Sequence, residues 1–278
     1  MDRKKMVIEK YYDGELVLAG LVPSLTEIVG GLLPIVRKAE KFVVCESEMI
    51  QAGKAIWEKP EVGDLCKPPY PVFWVEEKMD GRTDGASACM LVTALPLDVF
   101  LAMKAAGLGG LAFDSPETEA RFFENDVLLA QCFIETRGQL AVLPFKMVVP
   151  QGQISRVGIE MATLDPSARE ASLKLVVEFR STLTTLLVML GTKNGCSGEK
   201  ITVDEKLQAA RAKRGKAPLF TYVRLTPNIG MTRDSNGRET AEAHMVRGHF
   251  KRRETGTYWW GHHVRGTGEV QKREAYVV

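Results

Sequence analysis

Two short stretches near the C-terminus repeat one another. His244-Met245-Val246-Arg247-Gly248 and His262-His263-Val264-Arg265-Gly266 share the pattern His-x-Val-Arg-Gly. His249-Phe250-Lys251-Arg252-Arg253 and Gly256-Thr257-Tyr258-Trp259-Trp260 lie between them, so this region holds every histidine of the chain. Histidine exchanges a proton near neutral pH, and a pair can serve as acid and base. Arginine grips phosphate through two parallel hydrogen bonds and stabilises charge that develops on it. Aromatic faces stack on unpaired bases. These are the parts of a metal-independent ribonuclease site. In that version His249 and His263 exchange protons, and Arg247, Arg265, Lys251 and Arg252 hold phosphate, while Tyr258 or Trp259 stacks a base. They are equally the parts of a plain surface for RNA or single-stranded nucleic acid. A structural reading also stands: strands are rich in aromatics, Trp259-Trp260 can be one core and one surface residue, and the histidines and arginines can serve the fold alone.

A second basic run lies upstream, in Arg211-Ala212-Lys213-Arg214-Gly215-Lys216. Cations near a helix C-terminus answer the helix dipole, but four in six residues exceed that need, so Arg211, Lys213, Arg214 and Lys216 form a secondary basic patch. The net charge is +2, unevenly spread: residues 1–165 come to −7 and residues 166–278 to +9. Such asymmetry points to a region that faces a polyanion. His244 and His249 have loose zinc-ligand spacing, but only Glu242 and Glu254 are in reach and no cysteine is near, so no metal is expected. Walker-type and Gly-x-Ser-x-Gly motifs are absent, and no cofactor is expected. Cys45, Cys66, Cys89, Cys132 and Cys196 are scattered and odd in number, which suits reduced, mostly buried thiols. No apolar run is long enough for a membrane span, and no signal peptide is seen. The expected location is the cytoplasm.

The elements that must position these residues follow from periodicity and punctuation. Helices are expected from about residue 24, interrupted by Gly30-Gly31 and Pro34, and over 47–57, 97–106 and 116–123. Strands are expected over 72–75, 86–92, 127–135 and 139–149, with Arg137-Gly138 as a tight hairpin turn. Residues 150–168 read as a boundary. A long helix follows from Pro166, capped by Asp165, to about Leu190, then a helix over 204–214. Strands close the chain at 219–225, 243–251, 256–265 and 275–278. In a regular strand His244 and Val246 face one way and Met245 and Arg247 the other, with Gly248 and Gly266 breaking the pattern. The expected fold class is α+β: a mixed α/β scaffold or partner-binding part over 1–160, then over 161–278 two helices packed on a roughly four-stranded antiparallel sheet that carries the His/Arg cluster.

The stretches Lys193-Asn194, Leu207 to Tyr222, Val246-Arg247-Gly248-His249-Phe250-Lys251 and Gly256 to Gly266 resemble an uncharacterised family of proteins encoded by tailed phages and prophages. The likeness covers roughly residues 185–278, with a further similar segment around Pro69 to Glu76. It implies a phage origin and action in the bacterial cytoplasm, and assigns no residue a role. Two helices followed by an antiparallel sheet bearing His, Arg and Lys is also similar in topology to the barnase, RelE and EndoU type of ribonuclease fold; fold alone does not imply function. The leading expectation is a phage-encoded nucleic-acid-binding protein with the chemistry of an endoribonuclease. The alternative is a non-enzymatic phage factor that binds and inhibits a host or anti-phage defence protein.

Overall fold

The apolar run Glu40–Cys45 (β2) and the segment Val72–Lys78 (β3) form the centre of the fold. Their residues are buried on alternate sides: Phe42, Val44, Phe73 and Val75 enter one core cluster, while Val43 and Trp74 enter another. A strand buried on both faces must lie in the middle of a covered sheet. The structure is a computed structural model that describes residues 5–20, 23–56, 59, 62, 65, 68–79, 87–105, 124–151, 158–161, 166–229, 244–246, 248–261 and 263–265. The expected helix over 116–123 and strand over 275–278 lie outside the described residues.

The chain is a mixed α/β protein whose described residues build a nine-stranded sheet. β3 continues antiparallel into β4 (Ser87–Leu95), β5 (Val127–Thr136) and β6 (Gln139–Pro150). The β5–β6 turn is Arg137-Gly138, with φ of 45° and 75°, the backbone that a two-residue hairpin with right-twisted strands requires. On its other side β3 pairs parallel with β2, and β2 with β9 (Tyr222–Pro227); β8 (Cys196–Ile201) closes that edge antiparallel to β9. At the far edge β1 (Val17–Gly20) and β7 (Gly158–Met161) share the outer side of β6. Pro144 falls between their two stretches, opposite a register shift at Gln131/Phe133. A proline is tolerated there because no ladder bond needs its missing N–H. Gln131, buried in the shift, donates through Nε2 to the carbonyls of Cys132, Leu143 and Phe145, which gives the disrupted ladder partners.

Helices cover both faces. On one lie α3 (Glu46–Ile56) and α5 (Pro166–Gly191), whose Met49, Ile56, Phe179, Leu183 and Leu187 pack on the sheet. On the other lie α1 (Val7–Tyr12), α2 (Pro23–Leu32) and a 3-10 turn, Leu33–Arg37. α2 runs through Gly30-Gly31 without a break; Pro34, at the first turn of the next element, switches the chain to the tighter helix. Phe100 of α4 (Leu97–Ala105) packs beside Val127 and Val148. Cys89 and Cys132 are buried free thiols, and burial pushes both well above the usual thiol range. No described helix is long and apolar enough to cross a membrane.

The expected separate four-stranded C-terminal sheet is not what forms. β8 and β9 join the large sheet, and α5 packs on that sheet's face, because β9 supplies Leu225 to one core and Tyr222 to the other. α6 (Glu205–Lys213) is capped by Asp204, whose carboxylate accepts from the amides of Lys206 and Leu207. The remaining described strands form two separate two-stranded ladders: β10 (His244–Val246) with β13 (His263–Arg265), and β11 (His249–Arg253) with β12 (Gly256–Trp260).

Candidate functional site

β11 and β12 are joined by the two-residue turn Glu254-Thr255, with Arg253 opposite Gly256. Gly256 has φ of 128°, a backbone that side-chain-bearing residues avoid. Directly opposite residues share a face, so the ladder sorts the cluster. Phe250 and Trp259 face each other with ring centroids 4.9 Å apart, and both are buried in the core on the α5 side of the sheet. The other face carries His249 opposite Trp260, Lys251 opposite Tyr258, and Arg253 near the turn. Lys251 Nζ lies 5.0 Å from the Trp260 ring centre. The Arg253 guanidinium lies 5.5 Å from Trp260 and 5.8 Å from Tyr258.

The loop after α5 fixes this hairpin and adds to its outer face. Asn194 donates through Nδ2 to the Trp259 carbonyl at 2.7 Å and accepts at Oδ1 from the Trp259 amide at 2.6 Å. One side chain thus imitates a neighbouring strand. The Lys193 amide donates to the Thr257 carbonyl at 3.0 Å, and Asn228 holds the loop from behind through the carbonyls of Asn194 and Gly195. Lys193 Nζ reaches 5.9 Å from the Tyr258 ring centre. The Thr255 hydroxyl, 3.0 Å from the Tyr258 phenol oxygen, holds that phenol below its ordinary value, and Lys193 and Arg253 act in the same direction. The outer face therefore combines three cations with two rings. Each exposed cation–ring contact contributes about 0.5–1 kcal/mol, enough to orient the side chains and little enough to yield to a ligand.

The sequence-predicted residues divide against this geometry. Lys251, His249 and Tyr258 share the outer face. Trp259 does not: only 3% of it is exposed, and its neighbour Trp260, at 42%, offers the ring to solvent. Arg252 is exposed but alternates onto the side of Phe250 and Trp259. Arg247 lies outside the described residues. The described parts of the two His-x-Val-Arg-Gly copies, 244–246 and 263–265, pair antiparallel, with His244 opposite Arg265 and Val246 opposite His263. Backbone register sets His263 across from Val246, three residues before His249 in sequence. Arg211 is not part of a binding patch. It is buried, its guanidinium grips both oxygens of the buried Asp13 carboxylate at 2.5 and 2.7 Å, and it also donates to the Ala217 carbonyl. Lys213, Arg214 and Lys216 are exposed near that tie to α1, away from the hairpin.

Sequence reasoning missed three residues of the outer face: Trp260, Arg253 and Lys193. Strict alternation from a buried Trp259 gives the first two. Lys193 comes from a loop distant in sequence, and nothing in its spacing announces it.

Elsewhere, two adjacent buried carboxylates face opposite ways. Glu76 accepts from the Val7 and Ile8 amides and from Trp74 Nε1; Glu77 accepts from the Thr182 hydroxyl with Glu46 and Glu178 nearby. Burial pushes each up to about 7. Glu76 anchors the start of α1 and Glu77 ties β3 to α5, so both have structural work. No group of three metal-ligating side chains occurs among the described residues. No protein family, curated protein or solved structure matches the chain.

Proposed function

We propose that this chain binds single-stranded nucleic acid through the outer face of its C-terminal hairpin. The observation that carries the reading is the sorting of one short hairpin into two faces. Phe250 and Trp259 are spent on the core, while Tyr258 and Trp260 stay accessible, flanked by Lys193, Lys251 and Arg253. Cations alone would suit any polyanion. Rings held among them suit bases that are free to stack, which a duplex does not offer. The resemblance of this region to tailed-phage and prophage proteins supports a phage-encoded protein that acts in the cytoplasm of a bacterium.

Fluorescence anisotropy with a labelled single-stranded RNA and its duplex tests the reading. Expected is tighter binding of the single strand, lost in the Lys193→Ala/Lys251→Ala/Arg253→Ala variant. Absence of salt-dependent affinity for either form, with a host protein recovered on the purified chain, supports the inhibitor reading instead. The same samples on a denaturing gel, in chelator, test the ribonuclease extension. Cleavage that His249→Ala or His263→Ala abolishes at unchanged melting temperature establishes it; intact RNA removes it.

A further inference from the structure

The outer face of the β11–β12 hairpin has two unlike ends. At Trp260 an exposed ring meets Lys251 and Arg253. At the turn, two hydroxyls join two cations. The Thr255 hydroxyl lies 3.0 Å from the Tyr258 phenol oxygen. Lys193 Nζ and the Arg253 guanidinium lie 5.9 and 5.8 Å from the centre of the Tyr258 ring. Thr255 first, then Lys193 and Arg253, hold the phenol below its ordinary value, so the three act on its oxygen end as well as on the ring.

The tip is assembled from separate parts of the chain. Lys193 arrives from the loop after α5, its amide donating to the Thr257 carbonyl at 3.0 Å. Its stem crosses the hairpin at Gly256, where a Cβ would lie 2.9 Å from Lys193 Cε and 3.4 Å from Cδ. The glycine thus keeps open the path by which the ammonium reaches Tyr258. Neither Lys193 nor Arg253 has a carboxylate partner among the described residues. Glu254, the acid of the turn, is exposed and pairs with neither.

We propose that this tip binds the terminal phosphomonoester of a single-stranded nucleic acid, with a base near that end stacked on Trp260. This rests on the nucleic-acid reading above. A diester within a strand carries one charge, whereas a phosphomonoester carries about −1.5 to −2 at neutral pH and offers three strong acceptor oxygens. An ammonium, a guanidinium and two hydroxyls supply donors for all three oxygens and the second charge. The platform also stops here, because the chain turns back at Glu254-Thr255. Trp260 lies two strand positions from Tyr258, roughly 7 Å, which is about two nucleotide steps at the stacked spacing of about 3.4 Å.

The test is a competition assay on the full chain with one short oligouridylate in three forms: 5′-phosphorylated, 3′-phosphorylated, and hydroxyl at both ends. One phosphorylated form should bind at least about tenfold more tightly than the hydroxyl form, and the arm that does so identifies the end. Lys193→Ala and Thr255→Ala should each shrink that ratio, and Tyr258→Phe, which keeps the ring and removes the hydroxyl, should shrink it too. Urea midpoints confirm that the variants are folded. Equal affinity for all three forms overturns the terminal-phosphate site and leaves the hairpin reading standing. A ratio that survives in all three folded variants also overturns it, since the end is then held elsewhere. No binding of any form overturns both.

Discussion

Trp259 and Trp260 are chemically identical neighbours whose replacement should have opposite consequences. Trp260 is 42% exposed and touches Lys251 and Arg253 through its ring face. Truncating it loses two exposed cation–ring contacts and little packing, so stability should fall by no more than about 1–2 kcal/mol. A base stacked on such a ring contributes about 1–3 kcal/mol by alanine substitution, so Trp260→Ala should weaken single-strand binding roughly fivefold to a hundredfold. Trp259 is 3% exposed, packs edge-on against Phe250 and fills the space over Gly248. Trp259→Ala should cost about 3–5 kcal/mol of stability. Urea unfolding and anisotropy on both variants separate the roles. Undiminished affinity in Trp260→Ala, or a stability loss matching that of Trp259→Ala, would refute the assignment of faces.

Other outcomes follow from the same geometry. Glu76 and Glu77 titrate near 7 in the folded chain against an ordinary value of 4.5. Between those values the folded protein holds protons that the unfolded chain releases, so their effect is to lower stability as pH rises through that window, by on the order of 3 kcal/mol per group at most. Asp13 works the other way. Burial alone would raise it, but Arg211 and Lys5 hold it below its ordinary value, so its contribution is lost at low pH. Urea midpoints should peak near about pH 5 and fall toward about pH 8, and Glu77→Gln should flatten the fall; midpoints that rise over that range contradict it. Arg211→Ala leaves the Asp13 carboxylate buried without its main partner and should cost about 3–5 kcal/mol, with the affinity of the folded fraction for RNA unchanged. Asn194→Ala removes both side-chain bonds to the Trp259 backbone. About 1–3 kcal/mol of stability should go, with faster hydrogen exchange at the hairpin amides; unchanged exchange would mean the hairpin holds itself.

The sequence showed most elements whose periodicity is strong. The long α5, the capped α6, the β5–β6 hairpin and its Arg137-Gly138 turn lie where the pattern put them, within a residue or two. β2 went unseen because a six-residue strand buried on both sides shows no alternation. β8 went unseen because an edge strand of Cys-Ser-Gly-Glu-Lys-Ile is mostly solvated and reads as loop. The merger of β9 into the central sheet is a long-range choice, set by where Tyr222 and Leu225 find apolar partners, and local pattern cannot express it. At the site, the location was legible from charge and the repeated motif. The identity of the exposed ring was not, since only the register at Glu254-Thr255 decides which tryptophan faces out. The role of Arg211 was hidden for a similar reason: its partner, Asp13, lies at the other end of the chain.

The central claim is that the hairpin's outer face meets phosphates and bases together. The most direct measurement is the salt dependence of single-stranded RNA binding by the wild-type chain and by Lys251→Gln/Arg253→Gln. Three phosphate contacts correspond to a log–log slope of about −2 for single strands, and the double variant should bring it down to about −0.7. A wild-type affinity indifferent to salt, or a slope that the two substitutions leave unchanged, would contradict the account.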